Sequence, residues 1–348
     1  MYERHHIPRS FLPENKELPL TMPMERVTPT HLFYRRNHMP YPKVDVDEWR
    51  LSVKGCVEEP LHLTYNDLLR LPQITQSVTL ECAGNKRALR DPKTRGEQFL
   101  LGAISNAVWT GVPLQTILYL AGIRPEAQEI VFQGMDVGFR TDIPDLLSYS
   151  RSLPVTKAIH PDTLLALFMN YEPLPAKHGF PVRLVVPGWY AMGSVKWLRR
   201  ILVIEHPFDG PYQSRDYVLY TRPDDYAHGV PITEIQVNSS IAYPTDQQTV
   251  RRGNQYVYGI AWSGSNNVTE IDISTDGGHI WQPADWIDSE QRYTWRRWSF
   301  HWKADLPGEY MIMSRASDES GAVQRQQALW NVKGYVNNSI HQVKVYVE

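Results

Sequence analysis

From Gln255 onward the chain alternates apolar and polar residues in six short runs: Gln255 to Trp262, Val268 to Ser274, Ile280 to Ala284, Thr294 to Lys303, Glu309 to Ala316 and Gln326 to Val332. A period of two sends successive side chains to opposite faces, so each run reads as a strand with one buried face and not as an amphipathic helix. Asp276-Gly277-Gly278, between two of these runs, is a tight hairpin signal, because glycine tolerates the positive φ that such turns need. Six or seven short strands in about 110 residues fit an immunoglobulin-like sandwich, and residues 236–348 are expected to form one.

The preceding residues carry a different pattern. From about 46 to 235, strand signals (Trp49 to Val53, Val78 to Glu81, Pro181 to Val186) alternate with helical ones (Tyr65 to Leu71, Leu114 to Ala121). A polar, Pro-bearing stretch from Arg222 to Pro231 separates the two regimes. Residues 1 to about 45 are rich in Pro, His and Arg and read as an extended arm. The expected architecture is therefore α+β, with a mixed α/β domain over 1–235 followed by the all-β domain. With 348 residues the chain exceeds the usual size of one core, which supports two domains.

Net charge is −2, so no global basic field recruits nucleic acid, and anion recognition must be local. There are only two cysteines, Cys56 and Cys82, too few for a disulfide framework, and both are expected to be reduced. The N-terminus lacks the apolar core of a secretory signal, and no run of about 18 apolar residues occurs. A cytoplasmic location without membrane attachment is expected, or a periplasmic one if an export signal was removed.

Three clusters carry chemistry. Ser77 to Arg87 ends a β-like alternation on Cys82, followed by Gly84, Asn85, Lys86 and Arg87; cations beside a thiol favour the thiolate, which binds metal or attacks. A lone cysteine is more often a small buried hydrophobe, but that role needs neither the glycine nor the amide and cations that follow. Tyr34, Arg35, Arg36, Asn37 and His38 bunch planar anion donors with an amide, where the bland alternative is a solvated arm. In Lys177 to Arg183, His178 and Arg183 flank the start of a buried strand, suited to a phosphate or a pterin ring, or to a purely structural histidine. Pro187 to Leu198 adds a glycine-rich loop with Ser194 and Lys196 but lacks the Walker and GxGxxG spacings, so ordinary nucleotide binding is disfavoured.

Phe33 to Pro40, Cys82 to Arg87, Gly102 to Ser105, His178 to Arg183 and Ser194 to Trp197, in this order, together resemble the sulfite oxidase family of molybdenum enzymes. Gly259 to Gly264 and Ser274 to Gly278 resemble that family's C-terminal dimerisation domain, so the likeness spans nearly the whole chain. It implies a molybdenum held by one molybdopterin and by the thiolate of Cys82. It also implies a cofactor site made of Tyr34, Arg35, Arg36, Asn37, His38, Asp136, His178, Arg183, Ser194, Val195 and Lys196. Around the metal, Arg36, Arg87 and Tyr217 match the family's substrate residues, and Arg296 is expected to be the arginine given by the β domain, with Arg297 as its rival in register.

The implied activity is oxidation of sulfite to sulfate. Tyr217 and Arg296 stand where the related nitrate reductases are expected to carry an asparagine and a non-cation. Two departures from the vertebrate pattern are Arg95 in place of a lysine and Phe99 in place of a tryptophan beside the pocket, the second losing an indole donor. With no haem segment flanking the core, electrons are expected to pass to a separate acceptor such as a cytochrome. Pairing of two copies through the β domain is implied as well. Two other classes remain open: a cofactor-free cysteine enzyme with His38 or His178 as base, and a binding protein that has lost the chemistry.

Overall fold

The computed structural model describes residues 6–21, 24–222 and 229–348; residues 223–228 of the expected connection lie outside the described part. The arm opens with an antiparallel hairpin, Ile7–Phe11 against Glu14–Glu17. Lys16 then exchanges two backbone hydrogen bonds with Arg35, at 2.9 and 2.8 Å. Next to it, the buried Asn15 accepts from the Asn37 N–H at 2.6 Å. The arm is thus folded back on itself, and this fixes the Phe33–His38 segment against the catalytic domain.

That domain holds two five-stranded sheets. In one, Leu198–Ile204 lies centrally, parallel to Leu51–Gly55 and antiparallel to Glu129–Arg140, which continues into the long antiparallel partner Ile143–Pro154. In the other, Ile74–Glu81 pairs with Ile104–Pro113, which pairs with Leu164–Met169. Ile104–Pro113 is buried at nearly every position, Ser105 and Asn106 included, so its sequence lacks the alternation of a half-exposed strand. The two expected helices are present as Tyr65–Arg70 and Leu114–Ala121. The first begins at Thr64, whose Oγ1 accepts from the Asp67 N–H at 3.1 Å while the Asp67 carboxylate accepts from the Thr64 N–H at 2.9 Å.

The C-terminal part is the expected sandwich. A sheet ordered Asn238–Tyr243, Gly253–Trp262, Arg296–Ala304, Asp285–Trp286 packs on one ordered Gln248–Val250, His341–Val347, Gly308–Asp318, Val268–Ser274, Gln282–Pro283. Val257, Trp298, Ile271, Ile312 and Val345 fill the space between them. Two expected strands differ. Ile280 to Ala284 shrinks to Gln282–Pro283, because the Asp276 carboxylate accepts from the His279 and Ile280 N–H groups, both at 3.0 Å. Gln326 to Val332 is no strand at all: the Arg90 guanidinium, reaching from the catalytic domain, binds the carbonyls of Leu329 at 2.8 Å and Tyr335 at 2.6 Å. This draws the segment away from the sandwich and onto the other domain, and His341–Val347 occupies the sheet position instead.

His341, buried in this sandwich, accepts the Ile241 N–H on Nδ1 at 3.0 Å. Burial, with Lys86 nearby, pushes its pKa from 6.5 down to about 3. Between those values the unfolded chain takes up a proton that the folded one refuses, so stability is lost as pH falls through that window. Between about pH 7.5 and pH 5, urea unfolding of the wild type should lose about 2 kcal/mol more than that of His341→Asn.

Candidate active site

Cys82 follows directly on strand Ile74–Glu81, its N–H bonded to Ala103 O at 2.9 Å and its Sγ accepting the Gly84 N–H at 3.4 Å. The turn does not activate the thiol as its neighbours suggest. Burial pushes the Cys82 pKa up, and Arg36, the Gly84 N–H and Arg87 pull it down without overcoming that. Lys86 points the other way: its Nζ donates to Asn238 Oδ1 and Ser239 O, each at 2.6 Å. The free thiol is therefore protonated at neutral pH, and a metal would displace its proton on binding.

Two cavities meet at this sulfur. The larger, about 690 Å³ when its open mouth is counted, brings together Tyr34, Arg35, Arg36, Asn37, His38, Cys82, Asp136, His178, Arg183, Ser194 and Lys196, with Lys177, Tyr149 and Tyr217 completing the wall. Arm and strands fix these groups. Asn37 donates from Nδ2 to Glu14 O at 2.6 Å and accepts from Lys196 Nζ. Arg183 stacks on Trp109, its carbon Cζ 4.9 Å from the ring centre, and donates to His178 O at 3.1 Å and Ser194 O at 3.3 Å. Glu14 gathers Arg35 at 2.7 Å, Lys16 at 2.9 Å and Lys177 at 3.2 Å; burial pushes this carboxyl up, but these partners together hold it well below its usual range. Val195 is the exception. Its side chain lies in the main core, its N–H goes to Gly193 O and its carbonyl accepts Leu184 N–H, so it does not face the cleft.

His38 stays neutral, because burial and then Arg36, Arg140 and Lys196 hold its pKa well below 6.5. An Arg36 N–H faces Nδ1 at 3.4 Å, so Nδ1 accepts and the Nε2 proton is donated to the Tyr217 oxygen, 2.7 Å away. The Tyr217 hydroxyl proton is thereby left to point elsewhere.

The smaller cavity, about 410 Å³, is lined by Arg36, Cys82, Arg87, Arg95 and Tyr217, and by Glu97, Lys333 and Tyr335. Two glycines make room for Arg87: a Cβ on Gly84 or on Gly96 would come within 2.8 Å of its Nη1. Arg87 then donates to Lys333 O and Glu97 O, both at 2.9 Å, with its Cζ 4.8 Å from the centre of the Tyr335 ring. Gly84 thus admits a guanidinium beside the turn of Cys82.

Arg296 and Arg297 are not here. Arg296 packs its guanidinium 3.9 Å over the Trp286 ring and donates to Val268 O at 3.0 Å, while Arg297 is bound to the Asp288 carboxylate at 2.7 Å. The β-domain cation in the chamber is Lys333, held by the carbonyl of Arg215 and, at 3.2 Å, by that of Asp216. In the sequence Lys333 lies just past a run that reads as a strand, and the break in alternation at Trp330-Asn331-Val332-Lys333-Gly334 is the signal that the chain leaves the sheet there. Phe99 is fully buried among Phe33, Tyr34 and Cys82 and does not line the chamber, so the missing indole donor has no anion to serve.

Among the described residues no group of three His, Cys, Asp or Glu side chains could hold a metal. A metal at Cys82 needs further ligands from a cofactor. The larger cavity suits a pterin with a phosphate: Asp136 Oδ1 and Arg183 Nε are buried without a partner, an acceptor for ring N–H groups and a donor for an anion, and Arg35, Lys177 and Lys196 stand along the same wall.

A mixed domain with a cationic cleft around one thiol, joined to a β sandwich that closes a second cationic chamber, describes a cofactor-dependent protein. Residues 38–212 match the oxidoreductase molybdopterin binding domain, and residues 230–348 the Mo-co oxidoreductase dimerisation domain. The mitochondrial sulfite oxidase of Homo sapiens is 36% identical over 96% of this chain and 64% of its own length. An inducible nitrate reductase of Glycine max is 34% identical over 96% of the chain and 41% of its own. The crystal structure of the sulfane dehydrogenase SoxCD from Paracoccus pantotrophus superposes with a TM-score of 0.87 at 29% identity, covering 99% of this chain and 90% of that one. The chain belongs to the sulfite oxidase family of molybdenum-cofactor oxidoreductases. It spans less than two thirds of the length of the human relative.

Proposed function

We propose that the protein oxidises sulfite to sulfate and passes the electrons to a separate acceptor. The observation that carries this is the smaller chamber, which Arg36, Arg87, Arg95 and Lys333 line together with Cys82. Fixed, partly desolvated donors of this kind favour a small dianion at that place. When bound, the molybdenum cofactor supplies a two-electron centre and a transferable oxygen. Tyr34, Arg35, Arg36, Asn37, His38, Asp136, His178, Arg183, Ser194 and Lys196 would hold it, and Cys82 would ligate the metal.

The chain's own groups do the rest. Arg36, Arg87 and Lys333 orient the anion, and Arg95, exposed at the rim, draws it in. Tyr217, its oxygen already occupied by His38 Nε2–H, offers its hydroxyl proton to an anion oxygen. Glu97, among the cations, moderates the attraction for sulfate and so favours release.

Nitrate reduction is the rival within the family, and Tyr217 with four cations favours sulfite over the singly charged nitrate. Purified protein should contain about one molybdenum and one pterin per chain. On one preparation, sulfite-dependent reduction of ferricyanide should outpace turnover of nitrate, an organic sulfoxide and a sulfane-sulfur compound. Faster nitrate reduction would sink the proposal.

Pairing through the β domain belongs to the same reading, supported by the dimerisation-domain match over residues 230–348. An isologous dimer should elute at twice the 40.2 kDa of the chain at micromolar concentration. Elution at the monomer mass would refute it.

A further inference from the structure

We propose that the β domain sets the position of the Cys82 thiol, acting through Lys86 and Glu81 as positioning residues. The turn that carries Cys82 is held from its own domain through the N–H groups of Cys82 and Lys86, which donate to Ala103 O at 2.9 Å and Leu100 O at 2.7 Å, and from the β domain by five further hydrogen bonds. Trp262 Nε1 donates to Glu81 Oε2 at 2.8 Å. The Val336 N–H donates to Ala83 O at 2.8 Å. Asn337 Nδ2 donates to Lys86 O at 2.9 Å, and Lys86 Nζ reaches Asn238 Oδ1 and Ser239 O. Every one of these bonds ends on a residue within four positions of Cys82.

The far side of the clamp is itself rigid. Asn238 donates to Asn337 O at 3.1 Å and accepts from Gln324 Nε2 at 3.2 Å, inside the sandwich. Glu81 and Lys86 are both buried, at 2% and 1% exposure. Each commits its charged group to hydrogen bonds with the β domain, Glu81 accepting from Trp262 and Lys86 donating to Asn238 and Ser239, and buried charges are weak stabilisers, so what they contribute is a fixed geometry. Lys86 also holds φ at +61°, a left-handed conformation that a lysine keeps only when its surroundings over-determine it. Here the backbone carbonyl and the ammonium of the same residue are both captured by the β domain. Releasing either lets the turn relax toward the right-handed region and carries the sulfur away from the point where the two cavities meet.

The inference rests on Cys82 as the metal ligand, and two separate readouts on the full chain test it. In cofactor-free protein, alkylation of Cys82 by iodoacetamide is measured against Cys56 of the same chain. In holoprotein, the thiolate-to-molybdenum charge-transfer absorption is measured per molybdenum. Losing a charged buried hydrogen bond should make local opening of the turn easier, so Lys86→Met should raise relative Cys82 alkylation about tenfold or more and shift the band. Trp262→Phe, which removes one N–H and keeps a ring, should act in the same direction less strongly. Lys86→Arg should restore both readouts. A variant that only lowers the melting temperature, with alkylation and band unchanged, would overturn the proposal. Should Lys86→Met not fold, unchanged alkylation in Trp262→Phe would overturn it alone. Alkylation that responds in a protein whose wild type shows no charge-transfer band would uphold the clamp and refute the ligand assignment.

Discussion

Cys82→Ser is expected to abolish sulfite-dependent reduction of ferricyanide and to leave a folded chain. Of the residues that line both cavities, Arg36, Cys82 and Tyr217, the cysteine carries the soft metal ligand, and no cluster of other protein ligands stands by among the described residues. A serine hydroxyl is a harder donor and stays protonated, whereas thiolate suits a metal that also takes sulfur from its cofactor. Changes to groups that merely orient a ligand cost about 10 to 100-fold in metal affinity or activity, so loss of the ligand should exceed ~100-fold in turnover. Fold should survive, because Cys82 is a small buried side chain among Phe33, Tyr34, Phe99 and Ala103, which remain. Metal analysis, circular dichroism and acceptor assay on the same preparation check the three parts. Full activity in metal-free wild type would instead place the protein among cofactor-free cysteine enzymes, and full activity in the variant would remove Cys82 from both readings.

What the sequence discloses and what it hides divide along physical lines. The alternating runs disclose the sandwich, because each strand has one wet face and one dry one; Val268–Ser274 and Gly253–Trp262 are clear in the residues alone. Ile104–Pro113 and Glu129–Arg140 hide better, the first because burial on both faces erases alternation. Cofactor-site residues are legible where they cluster along the chain, as in Tyr34 to His38. Lys333 and Tyr335 join the chamber only through tertiary contacts, chiefly the grip of Arg90 on the carbonyls of Leu329 and Tyr335. Lys86 misleads in the other sense, since adjacency to Cys82 in sequence places its ammonium in the β domain. Even the electrostatics of the thiol follows burial first and neighbours second.

Lys333→Met should raise the KM for sulfite about 10 to 100-fold, because one cation facing a dianion contributes on the order of 1.5–3 kcal/mol when partly desolvated. Arg296→Met is the control: its guanidinium lies on Trp286 and binds the carbonyls of Val268 and Asp288, away from the chamber, so KM and kcat should stay within about twofold. Lys333 does more than add charge. Its Nζ binds the carbonyls of Arg215 and Asp216 and sits 3.7 Å from the Asp216 carboxylate, which is also paired with Arg140. Asp216 is the residue before Tyr217, so the ammonium also ties the β domain to the π-helical turn Tyr212–Asp216 that delivers the tyrosine. Lys333→Met should therefore lower kcat as well, by a smaller factor than it raises KM. Lys333→Arg keeps the charge and should recover most of the KM effect. If Arg296→Met raised KM while Lys333→Met did not, the β domain would supply its cation from the strand after all, and the chamber would have to be redrawn around Arg296.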